Sequence, residues 1–95
     1  MSVRVKVPTP LRKYTGGESS VTAEGATIAA LLDNLEKNHP GLKDRLCEAD
    51  GTVRRFVNLY VNGDDIRFLD NTNTVIADGA EVSIVPAIAG GTAGR

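Results

Sequence analysis

The chain has 95 residues, 41% of them hydrophobic and 24% charged, which makes one domain with room for a modest core. Its 11 basic and 12 acidic residues leave a net charge of -1, with no block of one sign to ask for nucleic acid or an anionic membrane. No apolar run approaches the roughly 18 residues of a membrane helix, and the single cysteine, Cys47, excludes an internal disulfide and suits a reducing cytoplasm.

The N-terminus opens without the apolar core of a secretory signal. Residues 2–7 alternate, with Val3, Val5 and Val7 on one side and Arg4 and Lys6 on the other. That period of two predicts a strand with one buried face. Pro8 and Pro10 end it, and a loop runs to Gly16-Gly17, which provide turn geometry. A second strand is expected at residues 18–23, closing a hairpin. Gly25 breaks it, and Thr27 is placed to cap a helix. Ile28, Leu31, Leu32 and Leu35 then form an amphipathic stripe, while Asp33, Asn34, Glu36 and Lys37 face solvent. Pro40-Gly41 stops this helix near Asn38-His39, and Leu42 and Leu46 are spaced for about one more turn.

Residues 56–62 read as a strand, with Val57, Leu59 and Val61 on one face and Phe56, Asn58 and Tyr60 on the other. Asn62-Gly63 is a turn signal, and residues 66–69 are expected to form a short strand after it. Asp78-Gly79 marks another turn before the last strand, residues 81–86. The order predicts an α+β fold: a four- to five-stranded sheet with one main helix across one face. The shared core holds Val3, Val5, Val7, Leu31, Leu32, Leu35, Leu59 and Val61. Each such Leu or Val, fully buried, contributes about 1.5–3 kcal/mol.

Residues 1–86 are thus expected to be the folded domain and residues 87–95 a flexible tail. Ala87, Ala89 and Ala93 carry only methyl groups, and Gly90, Gly91 and Gly94 carry no side chain. Such a segment has little to bury and loses much backbone entropy when ordered. It is slender enough to thread into another protein, and Gly90-Gly91 is where chemistry is expected.

A hairpin, a helix, further strands and a terminal Gly-Gly resemble the ubiquitin-like β-grasp fold. The run Phe56-Val57-Asn58-Leu59-Tyr60-Val61-Asn62-Gly63, the Ile76-Ala77-Asp78-Gly79 turn and the stretch from Val82 to Gly91 narrow this. They resemble the MoaD/ThiS family of sulfur-carrier proteins. The PTPLRKYTGG start and PAIAGG end are most similar to the branch serving thiocarboxylate-dependent cysteine synthesis. The resemblance implies a non-enzymatic protein co-substrate. An adenylating, E1-like sulfurtransferase activates the Gly91 carboxylate with ATP that the partner binds, a sulfur donor converts it to a thiocarboxylate, and a sulfur-accepting synthase consumes the sulfur. Ala87, Ile88, Ala89 and Gly90 would thread the partner's channel. Extended, the five residues after Pro86 reach about 17 Å at roughly 3.3–3.6 Å each.

Thr92-Ala93-Gly94-Arg95 follow Gly91 and tie up its carboxyl group as an amide. The family pattern implies their removal by a JAMM-type metalloprotease. The same exposed Gly91 suits two other readings, a ubiquitin-like modifier joined to target lysines and the small subunit of molybdopterin synthase. A self-contained enzyme fits worst, since the chain has no phosphate-binding G-x-x-x-x-G-K-[ST] motif and no clustered ligands for a metal. Cys47 has no flanking cation to activate it, and His39 stands alone near a helix end. Arg12-Lys13 and Arg54-Arg55 are read as solvated charge or docking contacts, and Phe56 and Tyr60 as candidates for the partner-binding face.

Overall fold

The alternating valines of the N-terminus build the first strand of a computed structural model that describes residues 2–86. This strand, β1 (Ser2–Lys6), buries Val3 and Val5 and exposes Ser2, Arg4 and Lys6. It pairs antiparallel with β2 (Ser20–Glu24), Val5 opposite Val21. Between them the loop winds into a 3-10 turn, Thr9–Tyr14, before Gly16 and Gly17 reverse the chain at φ of 66° and 90°. The expected second strand is real but starts later and ends later than residues 18–23, because this turn takes up residues that periodicity alone leaves unassigned.

Thr27 caps helix α1 (Ile28–Asn38), its hydroxyl oxygen accepting from the Ala30 amide at 3.2 Å. The stripe Ile28, Leu31, Leu32 and Leu35 is buried. A left-handed Gly41 (φ 96°) turns the chain into the short helix α2 (Leu42–Leu46). Glu36 does more than face solvent: its carboxylate accepts from the Gly41 and Lys43 amides at 3.1 Å, satisfying donors that α2 leaves open.

Strand β3 (Val57–Val61) turns at Asn62-Gly63, both at positive φ, into the two-residue β4 (Asp64–Asp65). The short strand expected at residues 66–69 does not form. The Asp65 carboxylate accepts from the Arg67 amide at 2.8 Å and diverts the backbone into a 3-10 turn, Ile66–Phe68, with Ile66 buried. A further 3-10 turn, Asn71–Asn73, leads towards β5 (Glu81–Pro86).

The described residues form one five-stranded mixed sheet in the order β2-β1-β5-β3-β4. β5 runs parallel to β1 and antiparallel to β3, so the last strand lies in the middle. All eight residues named for the core are buried, together with Ile28, Val82 and Ile84. The expected α+β sheet-and-helix architecture is therefore the observed one.

Gly25 has a sharper role than breaking a strand. A Cβ built there would lie 2.5 Å from the Leu31 amide nitrogen, so glycine is what lets β2 feed directly under the helix. Gly25→Ala is expected to cost about 1–3 kcal/mol through overpacking. Urea unfolding would show this as a lower midpoint, and an unchanged midpoint would mean the helix can lift away freely.

Candidate functional site

The end of β5 is the described part of the chain that leads into the expected site. Pro86 lies opposite Val57 and Val85 opposite Asn58, while Ser83 faces Tyr60 across the ladder. Pro86 lacks an N–H, which a central strand tolerates at its terminus. Ala87, Ile88, Ala89, Gly90 and Gly91, like Thr92 to Arg95, fall outside the described residues. What the structure gives is the platform from which they depart.

On the sheet face away from α1, Asn58, Tyr60 and Ser83 are half-buried and Val85 is exposed. Phe56, which alternation placed in the strand, lies outside it, because β3 starts at Val57. It sits in the turn just before β3, 62% exposed, with the Arg55 guanidinium 5.8 Å from its ring centroid. Phe56 therefore stands out at the rim, and Tyr60 sits further in, opposite Asp65 of β4.

A residue that sequence reading did not single out holds this rim together. Arg67 donates to the Val57 carbonyl at 2.9 Å, to the Arg55 carbonyl at 3.2 Å and to the Asn58 side-chain oxygen. One guanidinium thus gathers the segment that carries Phe56. A signal for it existed in the hairpin register: Val61↔Asp64 and Tyr60↔Asp65, continued by two steps, set Asn58 against Arg67.

The basic pairs divide. Arg54 is structural, donating to the Asp44 carbonyl at 3.0 Å and pairing with Glu48 at 3.0 Å. Arg12 donates to the Val7 carbonyl at 3.1 Å. Lys13 and Arg55 are exposed and lie over the rings of Tyr14 and Phe56.

Cys47 caps the C-terminus of α2 and is buried. Burial pushes its thiol above the usual range, against a weaker downward pull from Lys43 and Arg54. That suppresses the thiolate and fits the passive role expected of it. His39 caps the C-terminus of α1. Among the described residues no group of three or more His, Cys, Asp or Glu side chains could hold a metal. A small cavity of about 120 Å³, lined by Val53, Val57, Leu59, Ile66 and Arg67 among others, lies beside the rim and falls short of the ~300 Å³ of an ordinary ligand pocket. No described helix is long and apolar enough to cross a membrane.

The model of the ThiS family matches residues 5–91. The sulfur carrier protein CysO of Mycobacterium tuberculosis is 48% identical over 93 residues, covering 96% of this chain and 100% of that protein. The crystal structure of the Amycolatopsis orientalis BexX/CysO complex contains a chain that matches with a TM-score of 0.88 at 44% identity, covering 92% of this chain and 97% of that one. Small archaeal modifier protein 3 of Haloferax volcanii is 41% identical over 68 residues, covering 72% of this chain and 73% of that protein.

Arg67→Gln is expected to loosen the turn before β3 and cost about 1–2 kcal/mol, less than a buried charged hydrogen bond because the head group is exposed. Hydrogen exchange at the Val57 amide, which donates to the Arg54 carbonyl at 2.9 Å, should accelerate. Unchanged protection there would show that the guanidinium does not hold the rim.

Proposed function

The chain belongs to the ThiS family of ubiquitin-like β-grasp proteins, and we propose that it is a sulfur carrier for cysteine or related sulfur-metabolite biosynthesis, acting as a co-substrate and not as an enzyme. The observation that carries this is the central β5, which ends at Pro86 and hands on a sequence with Gly90-Gly91, in a chain nearly half identical to a sulfur carrier protein.

The chemistry proceeds at Gly91 once Thr92 to Arg95 have been cleaved by a JAMM-type metalloprotease. A carboxylate oxygen of Gly91 attacks the α-phosphorus of ATP held by an adenylating partner. The bond to the leaving pyrophosphate breaks, and an acyl adenylate forms. A sulfur nucleophile supplied as sulfide equivalents attacks the glycyl carbonyl, the bond to AMP breaks, and a thiocarboxylate remains for a sulfur-accepting synthase. Glycine suits both steps because no Cβ obstructs the approach to the carbonyl. Ala87, Ile88, Ala89 and Gly90 thread the partner's channel while Phe56 and Tyr60 seat against its outer surface. The solved complex of BexX with CysO supports a carrier that works by docking to a protein partner, and the lone buried Cys47 suits a reducing cytoplasm.

The similarity to a small archaeal modifier protein keeps a second reading in view, conjugation of Gly91 to lysines of target proteins. Intact-mass measurement separates the two. A chain ending at Gly91, incubated with the host's adenylating enzyme, ATP and sulfide, should gain about 16 Da as sulfur replaces oxygen. The chain ending at Arg95 should gain nothing until it is clipped. Adducts of whole proteins in place of the small increment would favour the modifier, and no change at all would end both readings.

Phe56→Asp should leave the unfolding midpoint nearly unchanged, since the ring is largely exposed, and lower the rate of activation about tenfold, as for loss of an aromatic interface contact. Normal activation of this variant would remove the rim from the docking surface.

A further inference from the structure

Six of the 11 basic residues gather at the pole where β5 ends, although they come from four separate stretches of chain. Contacts link them in sequence. Arg12 and Lys13 belong to the turn Thr9–Tyr14; Tyr14 accepts at its hydroxyl from Arg45 of α2 at 2.6 Å. The neighbouring Asp44 carbonyl accepts from Arg54, and Arg67 reaches the carbonyls of Arg55 and Val57, beside Pro86. The opposite end of the sheet carries more acids than bases: Glu24 lies across from Ser2, Asp78 accepts from the Ser2 amide at 2.8 Å, and Asp64 and Glu81 flank the other strand ends, with Arg4 opposite Glu81 and Lys6 paired with it. A net charge of -1 conceals this polarity.

The way these cations are held matters as much as their number. Arg12, Arg45 and Arg67 donate to carbonyl oxygens, a phenol or an amide oxygen, and among the described residues none of them joins a salt bridge. Neutral acceptors fix a guanidinium in place and leave its charge uncompensated. Within the pole Arg54 is paired with Glu48, and elsewhere Lys6 and Lys43 are paired with Glu81 and Asp33. Pre-positioned arginines lose less freedom on meeting an anion than mobile side chains do.

We propose that this pole is an electrostatic seat for a protein partner whose acidic rim surrounds the entrance to its active site, with the exposed Phe56 beside Arg55 as its apolar contact. The inference rests on the sulfur-carrier reading and adds the chemistry of the surface that the carrier recognises. Opposite fields would turn the pole at Pro86 towards the entrance before contact. A nucleic-acid backbone fits less well, because its evenly spaced phosphates could not avoid Asp44 and Glu48, whereas a protein rim can set neutral or basic side chains opposite them.

The test uses the chain ending at Gly91 and the adenylating enzyme of the native host, followed by ATP–pyrophosphate exchange. Lys13→Glu with Arg55→Glu, both exposed and free of backbone duties, should raise KM about tenfold with kcat nearly unchanged. Raising salt from about 50 to 300 mM should raise the wild-type KM and narrow the difference, as expected for screened charges. A variant with the wild-type KM, or a wild-type KM indifferent to salt, overturns the seat. In parallel, a hexaglutamate peptide titrated by NMR should shift amides near Lys13, Arg45 and Arg55 and leave those near Glu24 and Asp64 unmoved. Scattered shifts, no shifts, or tighter binding of a single-stranded oligonucleotide overturn it as well. Absence of any adenylation of the wild-type chain would overturn the sulfur-carrier reading, while the peptide titration still decides the seat.

Discussion

The parallel pairing of β1 with β5 is the constraint from which the rest of the molecule follows. It sets Val5 against Val82 on one edge of β5, while β3 sets Leu59 against Ile84 on the other. The last strand is thereby bonded on both sides, and its Val82 and Ile84 are buried in the core beneath α1. Lifting it would break two ladders and expose that core. Between β1 and β5 the chain must therefore form its hairpin, cross the sheet as a helix and return through β3 on the far side, as connections between parallel neighbours require. Whatever follows Pro86 departs from a point fixed by the strongest part of the fold.

A fixed point of departure is useful only if its surroundings are firm, and here polar groups supply the firmness. Glu36 closes the turn between the two helices, Asp65 bends the chain after β4, and Arg67 reaches back to hold the turn that carries Phe56. Glu36 and Arg67 draw together residues 5 and 12 positions apart, while Asp65 acts within its own turn. Among the described residues no buried side-chain polar atom lacks a partner, which is what low-dielectric surroundings demand of such atoms. Local bonds of this kind determine which side chains stand proud at the pole.

The hydrophobic half of this organisation was legible in the sequence. The period of two around Val3, Val5 and Val7, the stripe from Ile28 to Leu35, the Thr27 cap and the Asn62-Gly63 turn all mark features that local chemistry imposes. Sheet order and the polar fastenings were not legible in the same way, because they depend on partners brought together by folding. The Ile66 to Leu69 stretch shows the difference: its apolar composition suits a strand, and a single aspartate one residue earlier overrides it. Phe56 was misplaced by one position for a similar reason, since alternation says nothing about where a ladder starts. The grouping of basic side chains was hidden too, as four short stretches of unremarkable charge become one surface only when α2 and the first loop meet. The terminal Gly-Gly, the part of the proposed site most legible in sequence, lies outside the described residues.

A carrier whose C-terminus is activated by a partner, as proposed, would face a hazard that the placement of Cys47 addresses. An acyl adenylate is attacked by any available thiolate, and transfer onto the carrier's own cysteine would trap the glycyl group as a thioester. The only cysteine in the chain is buried at the end of α2, where burial pushes its thiol upward and outweighs the pull of Lys43 and Arg54. Few thiolates exist there at neutral pH, and the sulfur is covered even when one forms. A body without an accessible thiolate leaves the activated end to meet the sulfur its partner supplies, so the burial of Cys47 is part of how a sulfur carrier would stay faithful.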